Sequence, residues 1–161
     1  MNETVFPVQA DLFDDESKAK LKLWLRLLRA TNKVSQVLRQ RVRREYHTTM
    51  PRFDVMAALA RSPDGLKMSE LSRLLMVSNG NVTGVVDRLV EDGLLARGHS
   101  PHDRRASVVR LTETGRAAFG QMAAEHEEWV DELFASLDRE TIDDLTRHLD
   151  RLNASLREVD A

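Results

Sequence analysis

The chain has 161 residues, of which 24 are lysine or arginine, 26 are aspartate or glutamate and none is cysteine. With 42% hydrophobic and 31% charged residues, it has the composition of an ordinary globular protein. The lack of cysteine excludes a disulfide framework, a thiol nucleophile and a cysteine zinc site. No apolar run approaches the ~18 residues that a membrane helix needs, and the start of the chain lacks the basic and apolar segments of a secretory signal. We therefore expect a cytoplasmic protein.

The net charge of −2 hides an uneven distribution of charge along the chain. Residues 1–17 hold five acidic residues and no basic ones, whereas residues 18–60 hold eleven basic residues and two acidic ones. Residues 61–110 are mildly basic, and residues 111–161 are strongly acidic. Because segments of opposite sign cancel, the net charge does not argue against a nucleic-acid partner. We expect the acidic C-terminal helices to pair with the basic first segment.

The chain begins with a predicted acidic arm over residues 1–17. Untethered termini usually fray, which is the simpler interpretation. The other interpretation is that Phe6, Leu12 and Phe13 dock on a partner subunit.

A long helix is predicted over residues 18–46, because apolar residues recur there at three- and four-residue spacing. Leu21, Leu28 and Val42 belong to one apolar stripe, and a second stripe lies beside it. Two stripes on one helix favour burial against a second surface, such as another subunit.

Three shorter helices are predicted next. Thr49 can cap the first, which ends before a Ser-Pro-Asp-Gly turn signal at residues 62–65. Ser69 caps the second, or lies in its first turn, and three of its leucines are expected to face inward: Leu71, Leu74 and Leu75. Ser78 caps the third, over residues 79–92, with Gly93 as its left-handed terminator. Helix, three-residue turn and second helix form a helix-turn-helix.

The remaining elements are a hairpin and two helices. Residues 94–97 and 107–111 predict two strands joined by a long polar loop, which makes a wing directly after the helix-turn-helix. Helices follow at about 113–135 and 139–158. The last carries a single apolar stripe with coiled-coil-like spacing: Ile142, Leu145, Leu149, Leu152 and Leu156.

The third short helix has an outward face rich in small and amide side chains: Asn79, Gly80, Asn81, Thr83, Gly84, Asp87 and Arg88. Two glycines in a helix cost about 1 kcal/mol each relative to alanine. A solvated face gains nothing from that cost, whereas glycine lets another molecule approach the backbone closely. Asparagine, threonine and arginine can bond base edges or phosphates. The alternative is a polar surface helix of poor propensity.

The tip of the wing carries Asp103, Arg104 and Arg105. An arginine on such a loop can reach into a minor groove, where negative potential is enhanced. Asp103 would orient one arginine through a charge-assisted hydrogen bond. Taken in isolation, a solvated polar turn is the simpler interpretation.

Together these segments resemble the MarR family of winged helix-turn-helix transcription regulators, over residues 18 to 158. The resemblance rests on Met68 to Leu75, Val82 to Leu95, Asp103 to Ala106 and Val109 to Gly115. It implies a mainly α (α+β) fold and a homodimer. Residues 18–48 and 113–161 would form the dimerisation lobe, and residues 49–112 the DNA-binding lobe.

The resemblance also implies residue roles. The recognition helix would enter a major groove of double-stranded DNA with five residues: Ser78, Asn79, Asn81, Thr83 and Arg88. Arg105 would enter a minor groove, oriented by Asp103 and accompanied by Arg104. Family members usually repress a nearby operon and release DNA when a small molecule binds. Gly84 departs from the family pattern, in which a basic or longer polar side chain is common at this position.

An effector site is expected between the dimerisation helices and the DNA-binding lobe. Its candidate residues are Trp24, Arg26, Leu28, Tyr46, His47, Phe53 and Met56. Each one alone is better explained by core packing or by a solvated surface. The sequence resembles members that sense aromatic acids or their coenzyme A thioesters, and the basic first helix supplies cations. We therefore predict an anionic aromatic effector.

Other chemistry is weakly indicated. His99 and His102 lie three residues apart, but a metal site needs three or four converging ligands. No nucleophilic constellation or phosphate loop is evident, so neither an enzyme nor a cofactor is expected. The competing hypothesis is a ligand-binding dimer whose helix-turn-helix contacts protein. A basic stripe on the recognition helices and wings would favour DNA, and an acidic or neutral apolar face would favour a protein partner.

Overall fold

The structure is a computed structural model that describes residues 14–99 and 107–159. These residues form the mainly α winged helix-turn-helix that the sequence predicts. The elements are α1 (Asp15–Tyr46), α2 (Met50–Ala60), α3 (Met68–Leu75), α4 (Asn79–Glu91), β1 (Leu95–His99), β2 (Ser107–Leu111), α5 (Glu113–Phe134) and α6 (Arg139–Val159). Within the described ranges, no helix has the length and apolarity needed to cross a membrane.

Helix α1 begins three residues earlier than predicted. Asp14 is its N-cap, and its carboxylate accepts a hydrogen bond from the backbone N–H of Ser17 at 2.5 Å. Asp15 and Glu16 in the first turn suit the positive end of the helix dipole. Acidic residues that were assigned to the arm therefore start the helix. The rest of the predicted arm, with Phe6, Leu12 and Phe13, lies outside the described residues.

The main core lies between α2, α3, α4 and the hairpin. Val82, Val86 and Leu89 of α4 are essentially inaccessible to solvent, and they pack with Leu59 of α2 and Leu71 of α3. Fully burying one such side chain contributes about 1.5–3 kcal/mol. This apolar stripe fixes the rotation of α4 about its own axis, so its opposite face must point outward.

The prediction that Leu74 of α3 faces inward is wrong. Leu74 is 60% exposed, whereas Leu71 and Ser72 are buried. The hydroxyl of Ser72 donates to the carbonyl of Ser69 at 3.1 Å, which allows a polar side chain in this position. Burial on this two-turn helix centres on the side of Leu71, Ser72 and Leu75, and Leu74 turns away from it.

The two strands pair antiparallel, with Leu95 opposite Leu111 and His99 opposite Ser107. Strand β2 has the predicted bounds, while β1 starts one residue later and ends two residues later than predicted. Leu66 adds a further bridge to Val109. This bridge ties the loop before α3 to the wing and was not foreseen, because a single bridging residue has no periodicity.

The end of α4 is held tightly against α5. Gly93 has φ +73° and closes the helix with a Schellman motif, in which the N–H of Leu94 donates to the carbonyl of Leu89 at 2.9 Å. Thr112 caps α5 and donates its hydroxyl to the carbonyl of Gly93 at 2.8 Å. A Cβ atom at Gly115 would overlap the carbonyl oxygen of Leu94. Glycine therefore allows α5 to start directly beside the end of α4.

A second, smaller apolar cluster joins α1 to α5. Leu38, Val42 and Trp129 are its buried members. Arg41 forms an ion pair with Glu132 at 2.5 Å, and its guanidinium lies 5.8 Å from the centroid of the Trp129 ring. The predicted pairing of the basic first helix with an acidic C-terminal helix is therefore present at this position.

Two apolar faces have no partner among residues 14–99 and 107–159. On α6, the stripe that includes Leu145, Leu149 and Leu156 is 37–51% exposed, and the helix makes few contacts with the rest of the described chain. On the first half of α1, Leu23 and Trp24 are 54% and 56% exposed. Contiguous apolar surface of this kind marks an interaction site in most proteins.

The tight start of α5 predicts opposite effects of one substitution at two glycines of the same helix. Gly115→Ala should destabilise the protein by about 1–3 kcal/mol, because the added methyl group overlaps backbone. Gly120→Ala should stabilise it by up to about 1 kcal/mol, because a Cβ there meets open space and alanine favours helix. Urea unfolding followed by circular dichroism measures both. Equal stability of the two variants would contradict the packing.

Candidate nucleic-acid interface and an adjoining cavity

The outward face of α4 is the first component of the candidate site. All five predicted contact residues are solvent-exposed: Ser78, Asn79, Asn81, Thr83 and Arg88. A Cβ atom at Gly80 or Gly84 would meet nothing within 4 Å, so neither glycine is required by packing inside the chain. Gly80, Gly84 and Arg88 follow one another at four-residue spacing and therefore share one line along the helix. This face of α4 is therefore accessible to another molecule.

Local hydrogen bonds order the start of α4. The hydroxyl of Ser78 accepts from the N–H of Asn81 at 3.4 Å and caps the helix. The hydroxyl of Thr83 donates to the carbonyl of Asn79 at 2.8 Å, which orients its oxygen while leaving it able to accept. The hydroxyl groups of Ser78 and Thr83 are therefore held in place by the backbone of α4.

The wing is joined to α4, and a side-chain hydrogen bond links its two strands. Asp87 of α4 forms an ion pair with Arg97 of β1. Arg110 of β2 donates to the carbonyl of His99 at 2.7 Å, across the hairpin. These contacts fix the direction in which the hairpin leaves the body. Asp103, Arg104 and Arg105 lie outside the described residues, so their predicted role stays a prediction.

A cavity of about 480 Å³ lies beside this interface, between the end of α1, the start of α2, the end of α4 and α5. Its walls include three of the predicted effector residues, Tyr46, His47 and Met56. They also include Arg52 of α2 and Arg88 of α4. The volume is within the usual range for small-molecule sites. The cavity and the outward face of α4 thus share the side chain of Arg88.

An ion pair crosses one wall of this cavity. Nη2 of Arg52 lies 2.5 Å from Oδ2 of Asp92, and the pair links the first turn of α2 to the C-cap of α4. Each charge lies at the unfavourable end of its own helix dipole, which costs about 0.3–1 kcal/mol per charge in an isolated helix. The contact between them offsets that cost.

Tyr46 also lines the cavity, although its hydroxyl is shielded from solvent. The hydroxyl is buried and makes no hydrogen bond of normal geometry with another described residue. Burial raises the pKa of Tyr46 to about 12, and the carboxylate of Glu125 adds to the shift. The hydroxyl therefore stays protonated at neutral pH.

The other predicted effector residues do not meet in this cavity. Trp24, Arg26 and Leu28 lie exposed on the first half of α1. At 1.5 Å per residue, Trp24 is about 33 Å along the helix from Tyr46. Within one chain the seven candidates therefore do not form a single site.

Phe53 is buried and borders a different cavity of about 590 Å³, between α2, α3 and α5. His126 stacks on Phe53 with ring centroids 4.7 Å apart. Burial lowers the pKa of His126 and raises the pKa of Asp54, and each group partly opposes the shift of the other. No three potential metal ligands cluster among residues 14–99 and 107–159.

Arg52 and Asp92 were missed in the sequence. A signal was present, since a basic residue in a first turn and an acidic residue at a C-cap both oppose the helix dipole. Charges at unfavourable ends need a compensating contact. Only the folded chain shows that the two residues, 40 apart in sequence, compensate each other.

The fold and the exposed polar helix define a winged helix-turn-helix protein. A sequence profile of the MarR family matches residues 48–106. A MarR-family transcriptional regulator from Silicibacter pomeroyi is 31% identical, covers 89% of this chain and 99% of its own, and superposes with a TM-score of 0.77. The chain therefore belongs to the MarR family of transcriptional regulators.

Two further relatives are informative. The transcriptional activatory protein BadR of Rhodopseudomonas palustris is 32% identical over 68% of this chain and 66% of its own length. BpsR of Bordetella bronchiseptica, whose DNA binding is regulated by 6-hydroxynicotinic acid, is 25% identical with a TM-score of 0.66. That match covers 79% of this chain and 89% of BpsR.

Proposed function

We propose that the chain is a homodimeric repressor that binds a pseudo-palindromic operator and releases it when an anionic aromatic molecule binds. The observation that carries the DNA-binding role is the outward face of α4. That face is polar, presents two glycines that no internal contact requires, and ends in Arg88. Ser78, Asn79, Asn81 and Thr83 would contact the major groove, and the wing residues Asp103, Arg104 and Arg105 the minor groove.

The unpartnered apolar faces support the homodimer. The stripe on α6 and the first half of α1 together expose many large apolar side chains in one chain. Burial in a two-fold interface between residues 18–48 and 113–161 of two chains would remove them from water. The apolar Trp24 and Leu28 are better explained by such an interface than by a ligand.

The cavity supports an anionic effector. Its lining includes Arg52 and Arg88. Guanidinium groups bind carboxylates well. In BpsR an aromatic acid regulates DNA binding. Aromatic acids and their coenzyme A thioesters are therefore the classes to test.

One observation favours a second function, in which the helix-turn-helix contacts protein. Leu74, Met76 and Val77 expose apolar surface at the turn between α3 and α4, and Met76 is 92% exposed. These side chains flank the polar face of α4 rather than belonging to it. A protein partner would bind at the turn.

Selection of bound duplexes from a random pool that includes the gene's own upstream region tests the DNA-binding role. We expect a pseudo-palindrome with half-sites about one helical turn apart, bound by two chains, with affinity that falls steeply as salt rises. Sedimentation of the complex gives the stoichiometry. Recovery of no preferred duplex would contradict the proposal and favour the protein-binding function.

The effector class is tested by titrating the complex with the selected duplex. Benzoate, 4-hydroxybenzoate and their coenzyme A thioesters should include a compound that releases the DNA, and the matched neutral amides should not. Fluorescence anisotropy of labelled duplex measures release. If no acid or thioester releases DNA, the predicted effector class is wrong even though the DNA-binding role stands.

A further inference from the structure

We propose that Asp92 is a built-in competitor for the anionic group of the effector. A carboxylate entering the cavity would replace Asp92 on the guanidinium of Arg52, and this exchange would separate the end of α4 from α2. The proposal rests on the proposed function, because it assumes that the cavity holds the effector. It adds the contact, the ion pair of Arg52 and Asp92, through which effector binding in the cavity would act on α4.

The two partners of the ion pair differ in how easily they can leave it. The side chain of Arg52 is 20% exposed, whereas that of Asp92 is 53% exposed. Asp92 can turn into solvent and regain its hydration, while Arg52 stays in the cavity wall. The exchange therefore leaves no buried charge without a partner.

The positions of the charges on their helices favour the same exchange. Asp92 occupies the C-cap of α4, where the dipole repels an anion, and Arg52 occupies the first turn of α2, where the dipole attracts one. A free carboxylate at Arg52 would gain the attraction without being fixed at the C-cap of α4. The position of Asp92 on α4 therefore weakens the internal ion pair.

Arg88 provides a second reason for a link to DNA binding. It lies one helical turn before Asp92, lines the cavity, and has no ion pair with another described residue. The same side chain is a predicted contact to phosphate or guanine. An anion in the cavity would give Arg88 a partner inside the protein and withdraw it from DNA.

Calorimetric titration of the DNA-free protein with benzoate tests the competition. Asp92→Asn removes the competing charge at constant size, and it should bind benzoate roughly two- to fivefold more tightly than the unaltered protein, the range expected for a partly exposed ion pair. Glu91→Gln is the matched control, since it removes the same charge one residue earlier on an exposed side chain that does not line the cavity. It should leave benzoate affinity unchanged.

Two further titrations identify the partner of the anion. Benzamide should bind Asp92→Asn no better than it binds the unaltered protein, because it lacks the charge. The double variant Arg52→Gln/Asp92→Asn should lose the increase in benzoate affinity that Asp92→Asn shows. Circular dichroism checks that this variant is folded. The proposal is wrong if Asp92→Asn binds benzoate no more tightly, if benzamide gains equally, or if neither protein binds benzoate at millimolar concentration.

DNA binding supplies the second readout. With the selected duplex, benzoate should weaken DNA binding by the unaltered protein and have a smaller effect on Asp92→Asn, although that variant binds benzoate more tightly. Coupling between two ligands is reciprocal, so benzoate must weaken DNA binding by the same factor by which DNA weakens benzoate binding. If the variants bind benzoate as expected but the protein binds no duplex, the proposed function is contradicted. The competition between Asp92 and benzoate for Arg52 would then still be supported.

Discussion

The structure depends on the burial of one side of α4. Val82, Val86 and Leu89 are almost completely enclosed by side chains from α2, α3 and the hairpin. Rotation of α4 by even a fraction of a turn would expose some of these residues to water at a cost of kilocalories per mole. The orientation of its polar face is therefore set by the core, and it does not rely on contacts that the face itself makes.

The end of α4 is where the remainder of the chain can act on that face. Gly93 and Leu94 form the turn, Gly115 brings α5 into contact with it, and Asp92 connects it to Arg52 of α2. Packed cores resist continuous deformation, so a change in these contacts would displace the end of the helix as a unit. The adjoining cavity is lined by residues of α2, α4 and α5.

Much of the fold could be predicted because its signals are local. Ser78 and Gly93 predict the two ends of α4, because serine favours the N-cap and glycine the left-handed position after the last turn. Strand β2 also has the predicted bounds. Leu74 was misplaced because periodicity over two turns leaves the centre of the buried side uncertain by one residue. The bridge of Leu66 to Val109 has no local pattern at all.

Part of the candidate site could likewise be predicted from the sequence, and part could not. The exposed residues of α4 follow from the apolar stripe opposite them, and they were identified correctly as an outward face. The cavity needed the fold, because its wall combines the ends of four helices that are distant in sequence. Tyr46, His47 and Met56 meet there, whereas Trp24 and Arg26 lie exposed on the first half of α1.

The central claim is that the outward face of α4 contacts DNA, and the absence of cysteine from the chain allows a direct measurement. Gly84→Cys places a single thiol on that face, and Gly120→Cys places one on α5, both at exposed positions where a side chain meets open space. The rate of maleimide alkylation is measured with and without saturating selected duplex. We predict that DNA slows alkylation of Gly84→Cys and leaves that of Gly120→Cys unchanged. Equal rates for Gly84→Cys in the free and DNA-bound protein would contradict the claim.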